Sequence, residues 1–245
     1  ENFKRPFFST SINEFWRRWH ITLGAWLKDY VFYAVSLSGH FRRLNERLKK
    51  HVRSKHLLAL LPSAYALFFV WFCNGLWHGA SGKYIFYGLY YYILMMLGQA
   101  LKPASARLLA RLGISRDTGR CRVFEIIRTC IIVCFGMLIF RSSELKQAGM
   151  IFVNIFTGFG GSQLFDGTLL FKGITVWDYL ILAVAFVILL TVSLLQERGC
   201  DLRDRLSAQI LPLRWTIYLA LLFSIIILGA YGGSFNNMSF IYGEF

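Results

Sequence analysis

Residues 57–77 read LLALLPSAYALFFVWFCNGLW, and His78-Gly79-Ala80-Ser81 follow at once. The run holds no charged side chain and, as a helix, is long enough to cross a bilayer core of about 30 Å. A second apolar run, residues 84–101, begins directly after Lys83, so the two make a helical hairpin with a short turn at 78–83. Runs of the same kind recur at 176–195 and 215–231. A fifth, 124–140, carries Glu125 and Arg128 near its start and is expected to border protein rather than lipid. No period of 20–50 residues repeats.

Composition points the same way. Of the 245 residues, 56% are apolar and 16% charged, against about 45–50% (on a slightly different apolar set) and 25% in soluble domains. Mean hydropathy is +0.49. Disorder, a collagen-like chain and a disulfide-stapled secreted module are excluded. The expected fold is all-α, a polytopic transmembrane helical protein. A formal net charge of +14 would suggest nucleic acid on a soluble domain, but the positions of the charges argue against a nucleic-acid partner. Arg42, Arg43, Arg47, Lys49, Lys50, Arg53 and Lys55 crowd one stretch, opposed only by Glu46. Lys102, Arg107, Arg111, Arg116, Arg120 and Arg122 crowd another, opposed only by Asp117. Both lie at the open end of the hairpin, so the positive-inside rule sends that end to the cytoplasm and His78 toward the other face. The later loops are nearly balanced and leave the orientation of the C-terminal tail open.

The first 38 residues do not form a clean span. Ser11 and Glu14 make a capping box that starts a helix near Ile12. Ile12, Phe15, Trp16, Trp19, Leu23, Trp26 and Leu27 then recur at helical spacing as one apolar stripe, with His20 on its border. Tryptophans beside Arg17, Arg18 and Lys28 suit the headgroup level. The expected organisation is interfacial or re-entrant helices at 1–38, a basic cytoplasmic loop at 39–56, the hairpin at 57–101 and further spans over 102–245. No signal peptide opens the chain, which begins with Glu1 and is expected to be the C-terminal portion of something longer.

Few residues offer chemistry. His78, between Gly75 and Gly79 at the end of a span, is either a site histidine or a helix-end group satisfying a carbonyl. His20 alone reads as a headgroup contact, and His40, His51 and His56 as surface charge. The five cysteines and five histidines show no metal-ligand spacing. Cys73, Cys130 and Cys134 read as small core residues. Nucleophile-elbow, Walker and dinucleotide motifs are missing, and Gly158-Phe159-Gly160-Gly161 is a lone Gly-rich turn.

Three stretches together resemble a known family. Pro6-Phe7-Phe8-Ser9-Thr10-Ser11, Glu14-Phe15-Trp16-Arg17-Arg18-Trp19-His20 and Trp26-Leu27-Lys28-Asp29-Tyr30 look like the signature of the membrane-bound O-acyltransferases. The branch resembled is that of alginate O-acetylation and teichoic-acid D-alanylation. Gly75-Leu76-Trp77-His78-Gly79 resembles the family's second hallmark, and Phe240-Ile241-Tyr242-Gly243-Glu244-Phe245 its aromatic ending, with Gly243 where a bulky residue is commoner. The resemblance implies that His78 is the base that deprotonates an acceptor hydroxyl, and that His20 orients the acyl group near a cytoplasmic mouth. Trp16, Trp19 and Trp77 would wall a tunnel, with Asn74 as a hydrogen-bond donor. Arg17 and Arg18 would attract an anionic donor or simply meet headgroups.

The implied activity is transfer of an acyl group, acetyl above all, to hydroxyls of an extracytoplasmic glycopolymer in a bacterial plasma membrane. No cofactor is expected to stay bound. Acetyl-CoA or an acyl-carrier thioester would serve as co-substrate. Implied partners are the lipid bilayer, the donor or carrier protein at the cytoplasmic face, and the polymer or an accessory acyltransferase. D-alanyl transfer with a carrier protein stands as the alternative. A proton-relay transporter would need more ionisable residues within spans than Glu125 and Arg128. A membrane scaffold would act through its basic loops instead.

Overall fold

The computed structural model describes residues 1–115, 118–158, 160–161, 167 and 175–229, which contain helices and no strand. The chain divides into two compact units, Glu1–Gly158 and Phe159–Phe245.

The first unit begins with a short 3-10 turn, Pro6–Phe8, and two short helices, Ile12–Arg18 (α1) and Ile21–Leu27 (α2). A π-turn at Lys28–Phe32 leads into Tyr33–Ser36 (α3) and Gly39–His51 (α4). Then come the long helices Lys55–Trp77 (α5), Gly82–Arg111 (α6) and Gly119–Arg141 (α7), followed by Leu145–Thr157 (α8). The second unit has Val176–Glu197 (α9), Leu202–Ser207 (α10) and Leu211–Leu228 (α11). Helices α5, α6, α7, α9 and α11 are each long and apolar enough to span a membrane. The chain is a multi-pass membrane protein.

Three sequence expectations change. The stripe over 12–27 is not one helix, because the chain breaks at Trp19-His20 between α1 and α2. The basic loop at 39–56 is largely helix α4, started by Ser38, whose hydroxyl accepts from Phe41 N–H, and carried by Leu, Arg, Lys and Glu, all good helix formers. The second basic stretch begins inside α6, which continues through Pro103 to Arg111 on a run rich in Ala, Leu and Arg. The ending Phe240–Phe245, the last two residues of the run at 215–231, Phe159 of the Gly-rich turn, and Arg116 and Asp117 lie outside the described residues.

What joins α5 to α6 is close backbone approach. A Cβ at Gly75 would sit 2.6 Å from the Tyr84 carbonyl oxygen, and one at Gly88 would collide with the Trp71 carbonyl. Small residues let spanning helices approach like this where lipid supplies no hydrophobic drive between them. Tyrosine hydroxyls on α6 then satisfy themselves on neighbouring carbonyls. Tyr92 donates to Ala64 at 3.2 Å on α5, Tyr90 to Ile132 at 2.8 Å and Tyr91 to Val133 at 3.4 Å on α7. At the hairpin's open end His56 Nε2 lies 3.1 Å from the Gln99 carbonyl, which places the two basic segments together. Arg128 on α7 donates to the Thr10 carbonyl at 2.8 Å, the protein contact expected of a charge near a span. In the second unit α9 opens with a full capping box between Thr175 and Asp178. No residue of α9 or α11 is buried.

Candidate functional site

Helix α5 stops where His78-Gly79 leave it. His78 N–H donates to the Gly75 carbonyl at 3.2 Å, and Gly79 takes φ 140°, a conformation open to glycine and strained for other residues. The turn leaves the His78 side chain buried among aromatics from three helices. Ring centroids lie at 4.7 Å for Trp77, 4.9 Å for Phe140, 5.7 Å for Tyr87 and 6.1 Å for Tyr84. Its Nδ1 has no hydrogen-bond partner, and neither has Oδ1 of buried Asn74 one turn earlier. Nδ1 satisfies no carbonyl here, and buried polar groups without partners are uncommon enough to need a reason.

His20 sits in the left-handed region at φ 48°, ψ 50°, directly before α2. That conformation costs a non-glycine residue about 1–3 kcal/mol, although histidine enters it more readily than most. The N-terminal strand of chain holds it there. Asn2 accepts from Ile21 N–H on its carbonyl at 3.0 Å, and from Thr22 N–H and hydroxyl on Oδ1 at 3.0 and 2.9 Å. Lys4 N–H donates to the Arg18 carbonyl at 2.8 Å on the other side of the break. Glu14 stiffens α1 below. Burial opposes its charge, but bonds from the Thr10 N–H, the Thr10 hydroxyl and Arg18 at 2.7 Å outweigh that and hold the carboxyl below its usual range.

The two histidines come together instead of lying at opposite mouths. Trp77 stands between them, 6.2 Å from the His20 ring and 4.7 Å from that of His78. The resemblance implies a place for His20 near the cytoplasmic mouth, toward the basic segment. The structure puts it at the far end of α5, because α2 and α3 run back down α5 and α4 reaches it near Tyr65, where Phe41 makes a 6.4 Å ring contact. Burial, and secondarily the nearness of His20, push the His78 pKa down to about 4, and burial lowers that of His20. Both shifts disfavour the charged ring, and His78 is neutral at physiological pH.

Of the other candidates, Trp16 packs 4.9 Å from both Trp71 and Tyr91 with its Nε1 unpartnered. Trp19 stacks on Phe15 at 5.5 Å and touches His20 edge-on at 5.5 Å. Arg17 is exposed, and Arg18 turns inward to Glu14 and to the Arg5 carbonyl at 3.4 Å. Among the described residues no cluster of three or more His, Cys, Asp or Glu could hold a metal.

The chain is 34% identical over 164 residues to the "Probable alginate O-acetylase AlgI" of Pseudomonas syringae, a stretch covering 67% of this chain and 26% of that protein. It is 34% identical over 147 residues to the teichoic acid D-alanyltransferase of Bacillus subtilis, covering 60% of this chain and 33% of that one. With the peptidoglycan O-acetyltransferase of Helicobacter pylori the identity is 31% over 106 residues, covering 43% and 17%. The chain belongs to the membrane-bound O-acyltransferase family. No protein-family model matches it. What aligns amounts to about a quarter of the alginate relative's length.

Within this acyltransferase-family chain, several site residues carried little sequence signal. Tyr84, Tyr87 and Tyr91 recur at helical spacing on α6, a pattern that could have placed one face of the cluster. Asn2, Trp71 and Phe140 had no local mark, since each acts through a contact between distant segments.

Proposed function

We propose that the His20–His78 cluster is the active site of a bacterial plasma-membrane O-acyltransferase that esterifies hydroxyls of an extracytoplasmic glycopolymer, using a thioester donor. The observation that carries this reading is the convergence across Trp77 of buried His78, whose Nδ1 is orphaned, and half-buried His20. In the reaction a hydroxyl oxygen of the acceptor attacks the thioester carbonyl carbon. A C–O bond forms and the C–S bond breaks. His78 takes the hydroxyl proton and passes it to the leaving thiolate, so the imidazole returns to its starting state. A base so placed contributes about 10²–10⁴-fold. His20 and the Asn74 amide flank the carbonyl and orient it, and the aromatic walls of Trp16, Trp19 and Trp77 keep water from competing for the thioester.

The positive-inside rule supports the orientation. Helix α4 and the end of α6 lie at the basic, cytoplasmic end, and the site lies at the opposite end of α5. The acyl group then enters from the basic end, as acetyl-CoA or a carrier-protein thioester, and is delivered near the outer face. Names of relatives support both an acetyl and a D-alanyl product; the acetyl reading is favoured by the likeness of Trp26-Leu27-Lys28-Asp29-Tyr30 to that branch.

The test is mass spectrometry of acids released by base from cell envelopes of strains carrying the protein, its His78→Ala or His20→Ala variant, or none. Acetate present only with both histidines supports the reading, and D-alanine in its place moves the protein to the other branch. Equal ester content in all four strains overturns it.

A further inference from the structure

Between Lys55 and Lys102 the sequence holds one charged side chain, Lys83. It stands in the first turn of α6, at the end of the hairpin opposite the two basic segments, so the bias that gathers Lys and Arg at the other end does not account for it. A cation is also ill placed at the positive end of a helix dipole. A lysine in a hairpin turn ordinarily reaches into water, and Ser81 and Gly82 beside it are exposed. Lys83 is half-buried and turns inward instead. Its Nζ donates to the Ser142 carbonyl at 2.9 Å, 59 residues away in the chain, and lies 4.6 Å from the centroid of the Tyr84 ring.

Both contacts land on the walls around His78. Ser142 caps the C-terminus of α7, is 4% exposed, and follows Phe140 closely in the chain. Carbonyls at a helix C-terminus lack intrahelical partners and attract cations, and the face of a tyrosine ring attracts them too. One ammonium therefore joins the end of α7 to the start of α6. The Tyr84 and Phe140 rings that these two ends carry lie 5.3 Å apart, at 6.1 and 4.9 Å from the His78 ring. The bonds from Tyr90 and Tyr91 to α7 lie further along α6, away from this end.

We propose that Lys83 is a positioning residue that holds Tyr84 and Phe140 closed over His78 and keeps water from its ring. This rests on the transferase reading, in which His78 is the base. With the ammonium tied to both helix ends, the two rings keep one separation; without it, the first turn of α6 and the last turn of α7 part more readily and admit water. The titratable groups that face His78 are His20, across Trp77 from the break between α1 and α2, and Tyr84 and Tyr87 from α6. From α7 it meets Phe140, whose charged neighbour Arg141 is exposed. Burial is the larger cause of the low His78 pKa, and burial is what the clamp controls. Loss of the Lys83 charge would by itself favour a protonated ring, so access to His78 has to be read separately from its titration.

The experiment uses membranes containing the intact protein and has two readouts. Diethyl pyrocarbonate carbethoxylates neutral, accessible imidazoles, and peptide mass spectrometry gives its rate at His78 relative to exposed His40. The second readout is the acid limb of ester formation. Lys83→Met keeps the length of the side chain and loses the ammonium. It is expected to speed labelling of His78 about threefold and to raise the acid limb by about one pH unit, part of the way from about 4 toward the ordinary 6.5. Lys83→Arg, which offers N–H groups to the same carbonyl and a cation to the same ring, is expected to restore both. Tyr92→Phe removes a hairpin bond further from the site and is expected to change neither. Lys83→Gln is expected to shift both readouts in the direction of Lys83→Met, and takes its place if that variant does not reach the membrane. Labelling of His78 at the wild-type rate in the uncharged variant, an unmoved acid limb, or no recovery in Lys83→Arg overturns the assignment and leaves the transferase reading intact. The expected labelling with no ester from any of these proteins, wild type included, overturns the transferase reading and the catalytic use of the clamp with it.

Discussion

Helices α5 and α11 are equally able to cross a bilayer, yet they are written differently. α11 runs on Leu and Ile from Tyr218 onward, broken by single Ala, Phe and Ser residues, and has no residue buried. α5 interrupts its apolar run with Asn74 and Gly75 and is capped by His78, and it buries Ala66, Trp71, Asn74 and Gly75. Apolarity alone specifies insertion. Position within the membrane fold is specified by the exceptions: a glycine that admits a neighbouring backbone, a tyrosine hydroxyl that must find a carbonyl, a polar group that must find a use. The same contrast separates α6 from α9, where Gly88 and three paired tyrosines stand against a helix whose residues all remain at least partly exposed.

The sharpest way to break this contrast is to mutate both kinds of position and measure ester formation. His78→Ala is expected to lower the rate by about 10²–10⁴-fold, the range typical of a lost general base. Leu189→Ala on exposed α9 is expected to change it less than twofold. Comparable losses from the two would mean that the polar exceptions on α5 mark no site.

Stability should divide along the same line. Gly88→Ala drives a methyl into the Trp71 carbonyl, and forced overpacking costs about 1–3 kcal/mol. Gly98→Ala, on the same helix with nothing within 4 Å, should be neutral or stabilise by about 0.5–1 kcal/mol through helix propensity. Thermal unfolding in detergent compares them, and equal midpoints would show that close approach at Gly88 does not hold the hairpin.

Much of this architecture was legible in the sequence. Five apolar runs became five helices long and apolar enough to cross a membrane, because length and mean hydropathy are the main signals when lipid is the solvent. Glu14 and Ser11 marked the start of α1 through a local capping exchange. The break at His20 was not legible: period-3.6 patterning continues through it, and what reverses the chain is Asn2, eighteen residues away, holding Ile21 and Thr22. For the same reason the pairing of His20 with His78 could not be read from charge and periodicity, which report which end of a span a residue occupies and nothing about folding back along it.

That clasp gives a smaller test. Asn2→Ala removes the acceptor of two bonds beside His20, each worth about 0.5–1.5 kcal/mol, and is expected to lower kcat about tenfold while KM stays near its wild-type value. Asn2→Asp keeps the acceptor oxygen and is expected to recover most of the rate. A loss in protein level with no kcat effect would make Asn2 a structural residue only.

The smallest expected effect concerns protons. His78 is pushed down to about 4 by burial and by the neighbouring His20, so the folded protein keeps this ring neutral where an unfolded chain would already hold a proton. Above the ordinary histidine range neither state is protonated, and the shift has no effect on stability. As pH falls from about 6.5 toward 4 the unfolded chain takes up the proton first, so stability declines through that window and activity falls as His78 itself is protonated. His20→Gln removes the smaller of the two causes and leaves burial in place. The acid limb of the pH–rate profile should therefore move upward, by less than burial alone displaces it, with the residual activity of that variant as readout. An acid limb that stays fixed would mean that the two rings do not sense each other's charge, and a limb near 6.5 in the wild type would place His78 in water rather than among Trp77, Tyr87 and Phe140.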